Sequence, residues 1–190
     1  MNDDIRRYLE VLDPHKANLP LLLLDIDGVL NAYQYRPAET ETKRGDYTDL
    51  NEYSIGTDIG RTFRFWTSPT LIAEINDLHN SGKVEIAWLT TWTHQANRHV
   101  SPALGLPYLP VFADCGGRLS DYHWKSRAAV DAAQLGRPII WIDDAEITPH
   151  DRATYRTTGT PHLLIAPDAE RGLTRTDMEK VRAFIEQHAP

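Results

Sequence analysis

Leu21-Leu22-Leu23-Leu24-Asp25-Ile26-Asp27-Gly28-Val29 is the stretch on which the fold turns. Four consecutive leucines leave no polar face, which suits a strand buried on both sides. The run then stops at two carboxylates and a glycine. Gly28 lets the backbone turn sharply, so Asp25 and Asp27 can face one cavity.

Similar runs recur along the chain. Val84 to Leu89 ends in Thr90-Thr91, Pro138 to Ile142 ends in Asp143-Asp144, and His162 to Ala166 ends in Pro167-Asp168. Helical patterns lie between them. Ser68-Pro69 reads as N-cap and first helical residue, followed by Leu71, Ile72, Ile75 and Leu78 on one face and a stop near Ser81-Gly82. Residues 124–135 form a second helix, stopped at Gly136. Near the end, Thr176 is placed to cap a helix carrying Met178, Val181, Phe184 and Ile185, with Glu179 set for a capping box. Strand and helix alternate, which predicts an α/β fold with a mainly parallel sheet flanked by helices.

Two stretches break the alternation. Residues 32–67 are polar and aromatic, and Arg61 to Trp66 alternates like a strand. This reads as a flap inserted after the first strand, in β-hairpin form. Residues 101–122, with Pro102, Pro107, Pro110, Gly116 and Gly117, read as an irregular crossing with at most one short strand. At 190 residues the chain suits one domain, spanning 1–190, with room for a flap and not for a full cap.

Composition narrows the class. Hydrophobic residues are 41% and charged residues 25%, which excludes disordered, collagen-like and coiled-coil chains. Net charge is −7, which argues against a globally basic nucleic-acid binder but leaves room for a local basic patch. The lone Cys115 excludes an internal disulfide framework and a Cys-rich zinc site, and fits a reducing compartment. Met1 to Arg7 has no apolar core, so no signal peptide is expected, and no apolar run approaches the roughly 20 residues of a membrane span. The expectation is a soluble, cytoplasmic protein with no membrane partner.

In an open parallel sheet, ligands bind outside the carboxyl ends of the strands. Asp25, Asp27, Thr90 or Thr91, Asp143 and Asp144 should therefore converge at one edge. Carboxylates from separate strands repel one another unless a cation is bound. Oxygen-only ligands favour a hard ion such as Mg²⁺. One aspartate can attack while its neighbour handles a proton. A threonine hydroxyl at a strand end suits a phosphate oxygen, and Lys125, at a helix start, can neutralise one. Trp88, Trp92, Trp124 and Trp141 read first as core packing. His94, His99 and His123 are too scattered for a zinc cluster.

Asp-x-Asp-Gly-Val after an apolar strand, Trp88-Leu89-Thr90 ending a second, Lys125 at a helix start and Asp143-Asp144 ending a third resemble, in order, the four motifs of the haloacid dehalogenase (HAD) superfamily. Asp-Gly-Val-Leu-Asn, Trp88-x-Thr90-x-Trp92, Ala96-Asn97, Trp141-Ile142-Asp143-Asp144 and Gly172-Leu173-Thr174 are similar to small bacterial and phage HAD domains linked to nucleic-acid repair proteins. The resemblance implies a Rossmannoid phosphatase fold. It implies that Asp25 attacks a phosphoryl group to give an aspartyl-phosphate, and that Asp27 protonates the leaving oxygen and then activates water. It implies phosphoryl contacts from Thr90 and Lys125, and Mg²⁺ held by Asp25, the Asp27 backbone carbonyl and Asp143, with Asp144 in support. Superfamily members acting on carbon–halogen bonds lack the second aspartate, so its presence favours phosphate-ester hydrolysis.

A site covered only by a flap is open, and admits a phosphorylated macromolecule such as a nucleic-acid end, or a nucleotide. Arg36, Lys43, Arg44, Arg61 and Arg64 can contact phosphates there, and Tyr33, Tyr35, Tyr47 and Tyr53 can stack on bases. A small-metabolite phosphatase and a non-catalytic Mg²⁺-binding regulatory module are the alternatives.

Overall fold

The computed structural model describes residues 3–32, 47–114 and 123–190, with side chains from Ile5 onward. Its elements run α1 (Asp3–Val11), β1 (Leu21–Leu24), β2 (Asn51–Gly56), β3 (Thr62–Thr67), α2 (Pro69–Asn80), β4 (Glu85–Trp88), α3 (Ser101–Leu104), α4 (Trp124–Ala132), β5 (Ile139–Ile142), α5 (Pro149–Thr158), β6 (His162–Ile165) and α6 (Arg175–His188). The four apolar runs form one parallel sheet in the order β4-β1-β5-β6.

The leucine run is explained by the period of a strand. Leu22 and Leu24 share a core with Ile86, Trp88, Ile140 and Ile142, covered by Ile75 and Leu78 of α2 and Met178, Val181 and Ile185 of α6. Leu21 and Leu23 join Ala87, Ile139 and Trp141 on the opposite face, under Ile5 and Tyr8 of α1, Ala128 and Ala132 of α4 and Tyr155 of α5. All four leucines are fully buried, each contributing about 1.5–3 kcal/mol relative to exposure.

The flap is an antiparallel hairpin of β2 and β3, paired from Asn51↔Thr67 to Gly56↔Thr62. Among the described residues, the chain between β1 and α2 adds this hairpin and no larger cap. Its base is fixed by Asp49, which accepts from the Ser68 hydroxyl and, at 3.0 Å, from the Thr70 amide. Ser68 in turn caps α2 by accepting from the Leu71 amide at 3.1 Å. Tyr33, Tyr35, Arg36, Lys43 and Arg44 lie outside the described residues.

The crossing after β4 holds more helix than its prolines suggest: a π-helical turn at Ala96–Val100 and then α3. Among the described residues of 101–122 there is no strand, only a single parallel bridge from Val111 to Trp88 at the sheet edge. Cys115, Gly116 and Gly117 lie outside the described residues.

The cap of α6 differs from expectation. Thr174, not Thr176, accepts from the Asp177 amide, and Asp177 rather than Glu179 completes the capping box. Helices α1 and α5 were not anticipated. α5 opens with a capping box of Thr148 and Asp151 and with Pro149 at its first turn.

At the amino end of the sheet, Arg137 is buried against Glu85, with 2.6 Å between its Nη1 and Glu85 Oε2. Its Nε donates to the Leu19 carbonyl at 2.6 Å, and the Asp13 amide donates to Glu85 at 2.7 Å. Among the described residues, no helix is long and apolar enough to cross a membrane.

Candidate active site

Parallel pairing of β1 between β4 and β5 brings three strand ends to one edge. Leu24 is level with Trp88 and Ile142, so Asp25 and Asp143 leave the sheet side by side and Thr90 follows close behind. The Asp25 amide donates to the Ile142 carbonyl at 3.1 Å, which carries the pairing one step past the strand.

Lys125, on the first turn of α4, reaches between the two aspartates. Its Nζ is 2.6 Å from Asp25 Oδ2 and 2.9 Å from Asp143 Oδ2, with all three side chains buried. The other oxygen of Asp25 accepts from the Ile26 amide at 2.8 Å. The other oxygen of Asp143 accepts from the amides of Ala145 at 3.0 Å and Glu146 at 2.7 Å. Both carboxylates are thus fixed in rotation.

Charge dominates this cluster. Burial pushes the Asp25 carboxyl up to about 7, the Lys125 charge opposing the rise and Asp143 adding to it. Burial works against the Lys125 ammonium, but Asp25 and Asp143 outweigh it and hold the lysine above its usual range. Asp144 is raised by burial and then by Asp143. Carboxylate oxygens of Asp25, Asp143 and Asp144 all lie within 4.8 Å of one another. The Lys125 ammonium pairs with two carboxylates, while Asp144 lies in the same cluster with no cation of its own among the described residues. An all-oxygen donor set with surplus negative charge fits a hard divalent cation. Among the described residues, this candidate metal group contains no histidine. His94 instead lies 3.7 Å from Asp114, and His99 lies 3.2 Å from Asp58.

Asp27 is held differently from Asp25. Its Oδ1 accepts from Asn31 Nδ2 at 2.8 Å, and its Oδ2 accepts from the Trp92 indole N–H at 2.9 Å. Asn31 is itself anchored to the flap, where its Oδ1 accepts from the Trp66 amide at 2.9 Å. Trp92 meets Phe63 and Phe65 of the flap edge-on, with ring centroids 5.1 and 5.5 Å apart. Neither Asn31 nor Trp92 was singled out from sequence as a partner of Asp27. Asn31 had a signal, four residues on in a tight loop; the Trp92 contact spans too much chain to leave one.

Gly28 has φ +69°, and a Cβ there would fall 2.3 Å from Asp144 Cγ. The glycine therefore serves both the turn and the close approach of the fourth motif. Gly172 supports the same loop from below: its Cβ would meet the Val29 carbonyl at 2.6 Å, and the Leu173 amide donates to that carbonyl at 2.9 Å.

Of the two threonines, Thr90 is fully buried at the end of β4, its Oγ1 accepting from the Trp92 amide at 3.3 Å. Thr91 is exposed on the wall of a neighbouring cavity. Trp88, Trp92 and Trp141 are buried as core packing predicts, and Trp124 is half-buried.

A parallel α/β sheet with paired aspartates after its inner strand β1, a lysine from the first turn of α4 and a second acidic strand end after β5 define a HAD-like protein. The family model of the HAD domain in Swiss Army Knife RNA repair proteins matches residues 21–178, and the chain belongs to that family. A crystal structure titled as a probable YrbI family phosphatase from Pseudomonas syringae pv. phaseolica 1448a aligns over 98% of this chain and 92% of that one, at 15% identity and a TM-score of 0.40. No curated protein matches the chain.

Proposed function

We propose that this chain is a single-domain HAD phosphatase that hydrolyses phosphomonoesters through Asp25, with Mg²⁺ as its metal. The observation that carries the reading is the buried Asp25–Lys125–Asp143 array, with Asp27 held separately beside it. An ion pair buried for packing alone needs one carboxylate. Here surplus carboxylates gather where a charged ligand enters, and a cation with a phosphoryl group balances them.

In this reading an Asp25 oxygen attacks phosphorus, the phosphorus–oxygen bond of the ester breaks, and Asp27 gives its proton to the departing oxygen. Asp27, now ionised, takes a proton from water, which attacks the aspartyl-phosphate. Inorganic phosphate leaves and Asp25 is regenerated. Each oxygen of Asp27 keeps a lone pair beyond its bond to Asn31 or Trp92, so the group can carry and release that proton without losing its anchors. Lys125 offsets charge on the phosphoryl oxygens, and the Thr90 or Thr91 hydroxyl donates to them. Asp25, Asp143, Asp144 and the Asp27 carbonyl are the groups that would hold Mg²⁺. When bound, the metal neutralises charge that develops on the transferred phosphoryl group.

The family's description, a HAD domain of RNA repair proteins, supports a phosphorylated nucleic-acid end as substrate, and among the described residues the insertion after β1 adds only a hairpin. The test is phosphate release from a panel of 3′- and 5′-phosphorylated oligonucleotides, mononucleotides and sugar phosphates, with and without Mg²⁺. Mg²⁺-dependent release from nucleotide substrates is the expected result. Release from sugar phosphates alone would sink the nucleic-acid assignment, and no release from any ester would sink the phosphatase itself.

A further inference from the structure

A cavity of about 500 Å³ opens beside Asp27, between the flap tip and the turn after β4. That volume is in the range of small-molecule sites, about 300–1,000 Å³. Ile59, Arg61 and Phe63 form the flap wall, and Trp92, Thr93 and Gln95 form the other.

Strand alternation explains the flap wall. Phe63 and Phe65 share one face of β3 and both meet Trp92, and Arg61 directly precedes the strand. Phe65 is fully buried, whereas Phe63 keeps 41% of its surface exposed and Ile59 keeps 77%. The charges around them differ. Arg64, on the other face, pairs with Glu52 at 3.4 Å. Asp58, which also lines the cavity, pairs with Arg98 at 2.7 Å, and this ties the flap tip to the π-helical turn. Arg61 makes no ion pair among the described residues. The cavity thus offers a fixed wall with an exposed aromatic ring, an exposed aliphatic side chain and an uncommitted guanidinium.

We propose that this cavity receives the base of the nucleotide that carries the scissile phosphate, stacked on Phe63, with Arg61 meeting the next phosphate of the chain. The inference rests on the phosphatase reading, because Asp27 protonates the leaving group and the cavity lies on the Asp27 side. A sugar leaving group has no π-face to lay against the Phe63 ring, although Thr57, Asp58, Thr93 and Gln95 in the same lining could bond its hydroxyls. A base has a π-face whatever its identity, so an aromatic platform binds bases with little sequence preference. A phosphodiester then supplies an anion to Arg61, which pairs with none among the described residues.

The test is equilibrium binding of terminally phosphorylated oligonucleotides at fixed salt, with turnover blocked by Asp25→Asn and, as a second background, by chelating metal from the wild-type chain. Ends whose last unit carries a base are compared with ends whose last unit is abasic, at both 3′ and 5′ termini. A base is expected to tighten binding about tenfold or more. Phe63→Ala should reduce that preference to within about twofold, and Phe63→Trp should keep it. Arg61→Ala should weaken oligonucleotides more than mononucleotides and flatten their salt dependence. Equal binding of base-bearing and abasic ends would overturn the base subsite, as would a Phe63→Ala loss shared equally by both. Equal weakening of mononucleotides and oligonucleotides by Arg61→Ala would overturn the chain-phosphate contact. These are binding readouts, so a wild-type chain that prefers the base yet releases no phosphate would refute the phosphatase reading and leave the subsite standing.

Discussion

Asp27 is gripped at both oxygens, by Asn31 and by Trp92, and both partners are fastened to the flap. Trp92→Phe keeps a ring against Phe63 and Phe65 but removes the indole donor. Loss of alignment on this scale is expected to lower kcat about ten- to hundredfold, with KM changing less. An unchanged kcat would show that Asp27 needs no such anchor. Asp25 gives a pH prediction. Burial favours its protonated form in the folded chain, up to about pH 7. The folded state then binds more protons than the unfolded state between about pH 4 and pH 7, so this group removes stability as pH rises through that window. Metal-free protein should lose melting temperature over that range, and Asp25→Asn should flatten the slope. Added Mg²⁺ competes with the proton, so its stabilisation should be larger at pH 8 than at pH 5; a pH-independent gain would contradict the cluster as the metal site. At this scale the sequence pointed to Asp25, Asp27, Asp143 and Asp144, because they follow apolar runs, and the structure brings Asp25, Asp143 and Asp144 together. It did not show what holds Asp27, because the Trp92 bond depends on how a distant turn packs.

Elements were legible where pattern and caps agree. Ser68-Pro69 and the apolar spacing of α2 pointed to the same start, and the structure has it. α6 shows why a cap can mislead. Thr174 and Thr176 each have an acidic residue three positions on, Asp177 and Glu179, so the sequence pattern is degenerate. The choice goes with a tertiary contact: Leu173 is tied to the Val29 carbonyl, and the next residue, Thr174, is the N-cap. Thr174→Ala is therefore expected to cost about 1 kcal/mol, read as a lowered melting temperature. Thr176→Ala should stay within about 0.5 kcal/mol. The reverse order would contradict this cap. α1 and α5 carried signals of their own. Ile5, Tyr8 and Leu12 repeat at helical spacing, and Thr148-Pro149 with Asp151 is a capping box. Their short, charged surroundings hid them among loops.

For the whole molecule, alternation of strand and helix indicated the layered sheet, but strand order came from long-range pairing that no local pattern encodes. The two ends of that sheet divide the work. The carboxyl end gathers surplus negative charge, while the amino end neutralises its own, through Arg137 and Glu85. Arg137→Met leaves Glu85 buried without its cation and is expected to destabilise the fold by about 3–5 kcal/mol in denaturant titration. The double variant with Glu85→Met should recover most of that loss, and failure to recover it would show that the arginine acts through packing. At the other end, Asp25 is proposed as the attacking group. That assignment is tested most directly with Asp27→Asn, labelled aryl phosphate, Mg²⁺ and an acid quench. An aryl leaving group needs no acid, so the first step proceeds, while the missing base stalls the second. The predicted result is stoichiometric phosphate bound covalently to the peptide containing Asp25, abolished by Asp25→Asn; turnover with no covalent phosphate, or phosphate on another residue, would contradict it.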